Sequence, residues 1–204
     1  MDGHKHFFVD NFLDADLLNK TTLEKNELPS DETLPIKCGY LINSDGSLEE
    51  DRKNPTLYNR YHDNSVIKSL LPESTGELID RIQLQLQTHL SNPVVYNLKV
   101  LTNNVMDTSH TWGGWHKDFN PIEGYDDLTN LWLSFYTISG DDVNSEFQIS
   151  PTEEWPDIWQ RGRKEILSNN RLLCHNMNMG HQYHQHDKND VVIVYIRWYD
   201  NLIK

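Results

Sequence analysis

Cysteine is almost missing from this chain. Cys38 and Cys174 are the only two among 204 residues and stand in no Cys-x-x-Cys spacing. That excludes a disulfide framework and a thiolate zinc site, and the expectation is two buried free thiols. Positive charge is also scarce: 18 Lys and Arg stand against 31 Asp and Glu, a formal net charge of −13. Such a surface repels phosphate backbones and anionic membranes, so neither nucleic acid nor a membrane is expected as a partner. Long apolar runs are lacking too; none approaches the roughly 18 residues of a membrane-spanning helix. The opening Met1-Asp2-Gly3-His4-Lys5-His6 has no charged stretch followed by an apolar one. No secretory leader is therefore read, and a cytoplasmic location is expected. Internal repeats and low-complexity tracts are absent.

What is present is core material. The chain is 37% hydrophobic with six Trp and nine Tyr, enough for one domain spanning residues 1–204. His6-Phe7-Phe8-Val9 reads as a short strand, and Asp14 as the cap of a helix through Lys20. Residues 43–64 are polar and aperiodic, so a long surface loop is expected there. A second helix opens at Ser74-Thr75-Gly76-Glu77, with Leu78, Ile79, Ile82, Leu86 and Leu90 at helical spacing. From Val94 onward the pattern changes to strands: Val94–Leu101, Leu131–Ile138, Glu146–Ile149, Arg171–Asn176, Gly180–His184 and Val191–Tyr199. Helices followed by many strands predict an α+β, mainly β domain, with N-terminal support over 1–93 and a β core over 94–204.

One motif carries chemistry. In Trp112-Gly113-Gly114-Trp115-His116-Lys117-Asp118 a histidine and an aspartate are two residues apart. On a strand they share a face and converge on one ion. Two histidines and one carboxylate with open coordination positions form the ligand set of non-haem Fe(II) oxygenases. Candidates for the second histidine are His181, His184 and His186, 65 to 70 positions later, with His175 and His110 near the ends of other strands. Each of these histidines, taken alone, also fits a solvated His-rich loop. Trp112, Trp115, Trp132 and Trp198 are candidates for pocket walls or for core.

Over nearly its whole length the chain resembles the Fe(II)- and 2-oxoglutarate-dependent oxygenases, in particular small prolyl-hydroxylase-like and phytanoyl-CoA-hydroxylase-like members. The residues that carry the resemblance are Val9-Asp10-Asn11-Phe12-Leu13-Asp14, Trp115-His116-Lys117-Asp118 and Leu128 to Tyr136. Ser145 to Pro151, Asn170-Arg171-Leu172-Leu173, Gly180-His181 and Val191 to Tyr199 complete it. The resemblance implies a double-stranded β-helix (a jelly roll, cupin-like) with flanking N-terminal helices. It also implies Fe(II) as metal and 2-oxoglutarate as cosubstrate. Strand-to-strand matching places His181 on the distal metal ligand beside His116 and Asp118, with His184 and His186 as alternatives. Tyr136 falls where some relatives hydrogen-bond the cosubstrate. The cation that usually anchors 2-oxoglutarate at the start of the last strand is missing, since those positions are Asp190 and Val191. Arg197, later on the same strand, is the nearest candidate, with Arg171 and Lys99 behind it. Asp118 implies hydroxylation. The substrate class stays open between an amino-acid side chain in a protein or peptide, a free amino acid, and a small lipid or metabolite acid. A cupin-like binding module without 2-oxoglutarate is the rival reading.

Overall fold

The computed structural model describes residues 5–28, 40–42, 48–50, 65–68, 71–102, 131–139, 145–150, 163–185 and 191–200. Strand β1 (His6–Asp10) turns into helix α1 (Ala15–Glu24). Asp14 caps that helix as its sequence predicts, accepting from Leu17 N at 3.0 Å. A short antiparallel pair, β2 (Tyr40–Ile42) with β3 (Leu48–Glu50), follows. Part of the expected loop is therefore strand, and positions 43–47 and 51–64 of it lie outside the described residues. Then come α2 (Ser65–Lys68), α3 (Glu73–Leu86) and the strands β4 (Pro93–Thr102), β5 (Leu131–Ser139), β6 (Ser145–Ile149) and β7 (Arg163–Leu167). The chain continues with β8 (Arg171–Asn176), β9 (His181–Gln185) and β10 (Val191–Asp200).

These strands build a mainly β architecture. The larger sheet has five antiparallel strands in the order β1-β8-β5-β10-β4, and a three-stranded sheet has the order β7-β6-β9. The chain crosses between the two sheets after β5, β7, β8 and β9. Consecutive strands therefore alternate in blocks between layers, as two sheets sharing one core require. β1, from the N-terminal part, is an edge strand of the larger sheet and pairs His6 with His175 and Asp10 with Arg171.

β5 is apolar on both faces because both are covered. On one face Trp132, Ser134 and Tyr136 meet the helices. α3 buries Leu78, Ile79, Ile82 and Leu86 completely. At about 1.5–3 kcal/mol for each buried aliphatic side chain, packing on the sheet rather than intrinsic propensity holds α3 in place. His89, just past α3, lies 5.1 Å from the Phe7 ring and 4.4 Å from Trp132. Trp198 is fully buried on this face and donates Nε1–H to Ser134 Oγ at 2.8 Å. The buried Cys174 lies on it too, and desolvation raises its thiol pKa, keeping it protonated.

Two polar residues fix the frame. Asp200, 5% exposed, accepts from Ser91 N at 2.9 Å and Asn92 N at 2.7 Å, locking the end of β10 to the turn between α3 and β4. Asn170, at φ 55°, holds the turn after β1: its Oδ1 accepts from Leu13 N at 2.7 Å and its Nδ2 donates to Leu13 O at 2.9 Å. Among the described residues no helix is long and apolar enough to cross a membrane.

Acid should loosen this N-terminal corner. The Asp10 carboxyl is held below its ordinary pKa first by hydrogen bonding from Arg171, and Asp14 first by the backbone N–H of Leu17 and then by Arg81. A folded-state pKa below the unfolded one stabilises the fold above the unfolded value, and this is lost as pH falls through the folded value. Thermal melts should therefore be flat from neutral pH to about pH 5 and decline below about pH 4. Replacing Asp10 and Asp14 together by Asn should flatten the decline.

Candidate functional site

The other face of the larger sheet meets the small sheet. Strand alternation sends Leu133 and Phe135 of β5, Leu173 and His175 of β8, and Ile193, Tyr195 and Arg197 of β10 to that face. The facing layer supplies Phe147 of β6 and His181 of β9. Phe147 lies 5.2 Å from Phe135, 5.6 Å from His175 and 5.5 Å from His181, ring centre to ring centre. His175 and His181 are themselves 4.6 Å apart. Two buried imidazoles, 0% and 4% exposed, thus sit in an aromatic box between the layers.

Their tautomers follow from their partners. His181 Nδ1 lies 3.1 Å from Met179 O, and His175 Nδ1 lies 2.9 Å from Asn176 O. A carbonyl only accepts, so Nδ1 carries the proton in each neutral ring and Nε2 keeps the lone pair. A backbone carbonyl on one imidazole nitrogen with the other nitrogen turned away is how a metal-ligating histidine is oriented. The box continues to Tyr195, 4.9 Å from Phe135. Tyr195 Oη accepts from Arg197 Nε at 2.6 Å, and the guanidinium carbon lies 5.5 Å from the Tyr195 ring centre. Thr137 brings a fully buried hydroxyl to the same face, and among the described residues it has no hydrogen-bond partner.

The register locates Arg197. It pairs with Leu133, and Leu133 pairs with His175, so these three form one row across the sheet. Beside it the β4–β10 pairing shifts from Arg197↔Asn97 to Trp198↔Val95, a bulge that leaves Tyr96 as the extra residue. Val191, at the start of β10, is six residues and about 20 Å away along the strand. Arg197 therefore belongs to the histidine end of the face.

Not every expected residue is here. His116 and Asp118 lie outside the described residues, as do Trp112, Trp115 and His186. Among the described residues no group of three or more His, Cys, Asp or Glu is arranged to hold a metal. Tyr136 departs from its expected place. It is one residue out of phase with Phe135 and faces the helices, where Phe12 packs on it at 5.9 Å and its hydroxyl donates to Asn170 Oδ1 at 2.9 Å. Burial pushes its phenol pKa upward. Trp132 and Trp198 are core on the same side. His175, noted from sequence only as lying near a strand end, is the unanticipated member. Its signal was a polar residue in the otherwise apolar run Leu172-Leu173-Cys174-His175.

The fold is similar to that of several solved enzymes. A prolyl-4-hydroxylase from Pseudomonas putida superposes over 97% of this chain and 89% of its own, with TM-score 0.52 at 11% identity. SnoN, a non-heme alpha ketoglutarate dependent epimerase from nogalamycin biosynthesis, does so over 97% and 78%, with TM-score 0.57 at 13% identity. HygX from Streptomyces hygroscopicus, solved with nickel and 2-oxoglutarate bound, covers 98% and 84%, with TM-score 0.54 at 9% identity. No family model matches the chain, and no curated protein sequence matches it. Likeness at these identities establishes the fold and assigns no residue a role.

Proposed function

We propose that the protein is an Fe(II)- and 2-oxoglutarate-dependent dioxygenase built on a double-stranded β-helix. It hydroxylates an amino-acid side chain or a small metabolite, with His116, Asp118 and His181 as metal ligands. The observation that carries this reading is His181: a buried imidazole whose Nδ1 is fixed by Met179 O, leaving Nε2 as the ligating atom, on the inner face of β9. The donor set fits the group, because a neutral imidazole with a lone pair on Nε2 is the form that binds Fe(II).

When bound, Fe(II) and 2-oxoglutarate supply O2 activation and the oxidative decarboxylation of the cosubstrate to succinate and CO2. The chain's own part is positioning. Phe135 and Phe147 exclude water from the histidine pair. Tyr195 orients the Arg197 guanidinium, whose planar fork suits a carboxylate. Purified protein with Fe(II), ascorbate and O2 should convert 2-oxoglutarate to succinate, and His181→Ala should not. Metal binding without succinate formation would favour a cupin-like metal module. The feature on that side is Val191, an apolar residue where a cosubstrate anchor is expected.

A further inference from the structure

His175 belongs to no two-histidine, one-carboxylate set, yet its ring is nearer to His181, at 4.6 Å, than Phe147 is, at 5.5 Å. We propose that His175 is a positioning residue of the metal centre, its Nε2 accepting a hydrogen bond from a water or hydroxyl ligand bound to the metal beside His181. The inference rests on the metal-site reading above and adds to it a residue and the chemical class of ligand that residue holds.

Shape alone does not call for an imidazole at this position. The His175 ring stacks on Phe135 at 5.9 Å with an interplanar angle of 13° and lies 5.6 Å from Phe147. A phenyl ring would fill that slot equally well and would bring no buried polar atom. What distinguishes imidazole is the second nitrogen. With Nδ1 donating to Asn176 O at 2.9 Å, Nε2 lies on the far edge of the ring and carries the lone pair. His181 is arranged in the same way, with Nδ1 donating to Met179 O. In both rings the edge facing away from the backbone is the one with the lone pair.

Both rings also hang from one rigid crossing. His175 is the penultimate residue of β8 and His181 the first of β9. The chain between them is pinned by Met177 N to Leu131 O at 2.9 Å, Met179 N to Asn176 O at 3.0 Å and Ser150 N to Gly180 O at 2.7 Å. Their mutual placement is thus set by backbone, the kind of support that holds a functional constellation in register.

Direct ligation by His175 does not fit the proposed ligand set of His116, Asp118 and His181. Three protein ligands leave three of six octahedral positions, two for a chelating 2-oxo acid and one for O2. A fourth protein donor would remove one of them. His175 therefore acts on a ligand of the metal, and a neutral Nε2 selects a hydrogen-bond donor over a bare carboxylate. Carboxylate recognition falls to Arg197, in the same row but two strands away.

Co(II), stable in air and visible through its d–d bands, is the probe. His175→Phe keeps the ring and removes the acceptor; His175→Gln restores an acceptor of similar reach. We expect His175→Phe to melt within a few degrees of the wild type, to bind Co(II) about 10-fold more weakly and to shift the d–d bands. His175→Gln should recover most of the affinity and the band positions. Should His175→Phe not fold, His175→Leu gives the same comparison. If the acceptor-free variant matches wild type in affinity and spectrum, His175 only fills space and the proposal is overturned. It is equally overturned if X-ray absorption counts one imidazole fewer on Co(II) in His175→Phe, because His175 is then a ligand. Wild type that binds no Co(II), or His181→Ala that binds it unchanged, removes the metal centre and His175 with it. Co(II) bound without response to 2-oxoglutarate removes only the cosubstrate reading and leaves the His175 comparison decisive.

Discussion

Replacing His181 by phenylalanine should leave the protein folded and lower its affinity for Fe(II) or Co(II) by at least about 100-fold, since losing a ligand exceeds the 10–100-fold loss of an outer-shell partner. Phenylalanine keeps the contact with Phe147, where the His181 ring now stacks at 5.5 Å and 14°. It removes the atom that the Met179 carbonyl orients. Calorimetric titration of metal into the two proteins, with melting curves beside it, separates ligand loss from misfolding. Equal affinity in the two would show that the buried imidazole is core and that a histidine outside the aromatic box does the binding.

The largest loss of stability is expected at a residue with no chemistry. Asn170→Ala deletes three hydrogen bonds, with Leu13 N, Leu13 O and Tyr136 Oη, and forces alanine to φ 55°. Buried partners left unsatisfied cost about 1–3 kcal/mol each before relaxation, and the left-handed backbone adds about 1–2 kcal/mol. The net loss should be about 4 kcal/mol, a fall in Tm of roughly 10 °C for a chain of this size. Asn170→Gly, which relieves the backbone but not the hydrogen bonds, should recover about 1 kcal/mol of it. Urea unfolding of the two variants would show both effects. A loss below 1 kcal/mol in Asn170→Ala would mean that the turn after β1 is not held by this side chain.

Much of the architecture is legible in the sequence because burial leaves a periodic trace. Leu78, Ile79, Ile82 and Leu86 mark the inner stripe of α3, and the runs at 131–138, 171–176 and 191–199 mark strands of the larger sheet. β7, Arg163-Lys164-Glu165-Ile166-Leu167, escapes notice. Among the described residues it is an edge strand of the small sheet, paired with β6 alone, and has no need of apolar residues on both faces. The pair β2 and β3 escapes because each strand has three residues and Asn43-Ser44-Asp45-Gly46-Ser47 between them reads as turn formers.

The site is harder to read, and the difficulty is parity. In Leu131-Trp132-Leu133-Ser134-Phe135-Tyr136 both faces are buried, so alternation gives no sign of which face meets the helices and which the small sheet. The resemblance puts Tyr136 beside the cosubstrate, whereas its parity turns it to the helix side, against Phe12 and Asn170. Arg197 lies on the inner face as alternation predicts, yet its row beside His175 depends on pairing through β5, and no pattern within β10 reveals that. His175 needed both kinds of information, the parity of β8 and the return of β9 across the layer.

The most direct test is anaerobic addition of Fe(II) and then 2-oxoglutarate to the purified protein, followed by absorption spectroscopy. A weak visible charge-transfer band that appears only with both, and that His116→Ala and His181→Ala each abolish, is the predicted result. Iron bound with no band on adding 2-oxoglutarate, or a band unchanged in His181→Ala, would contradict it.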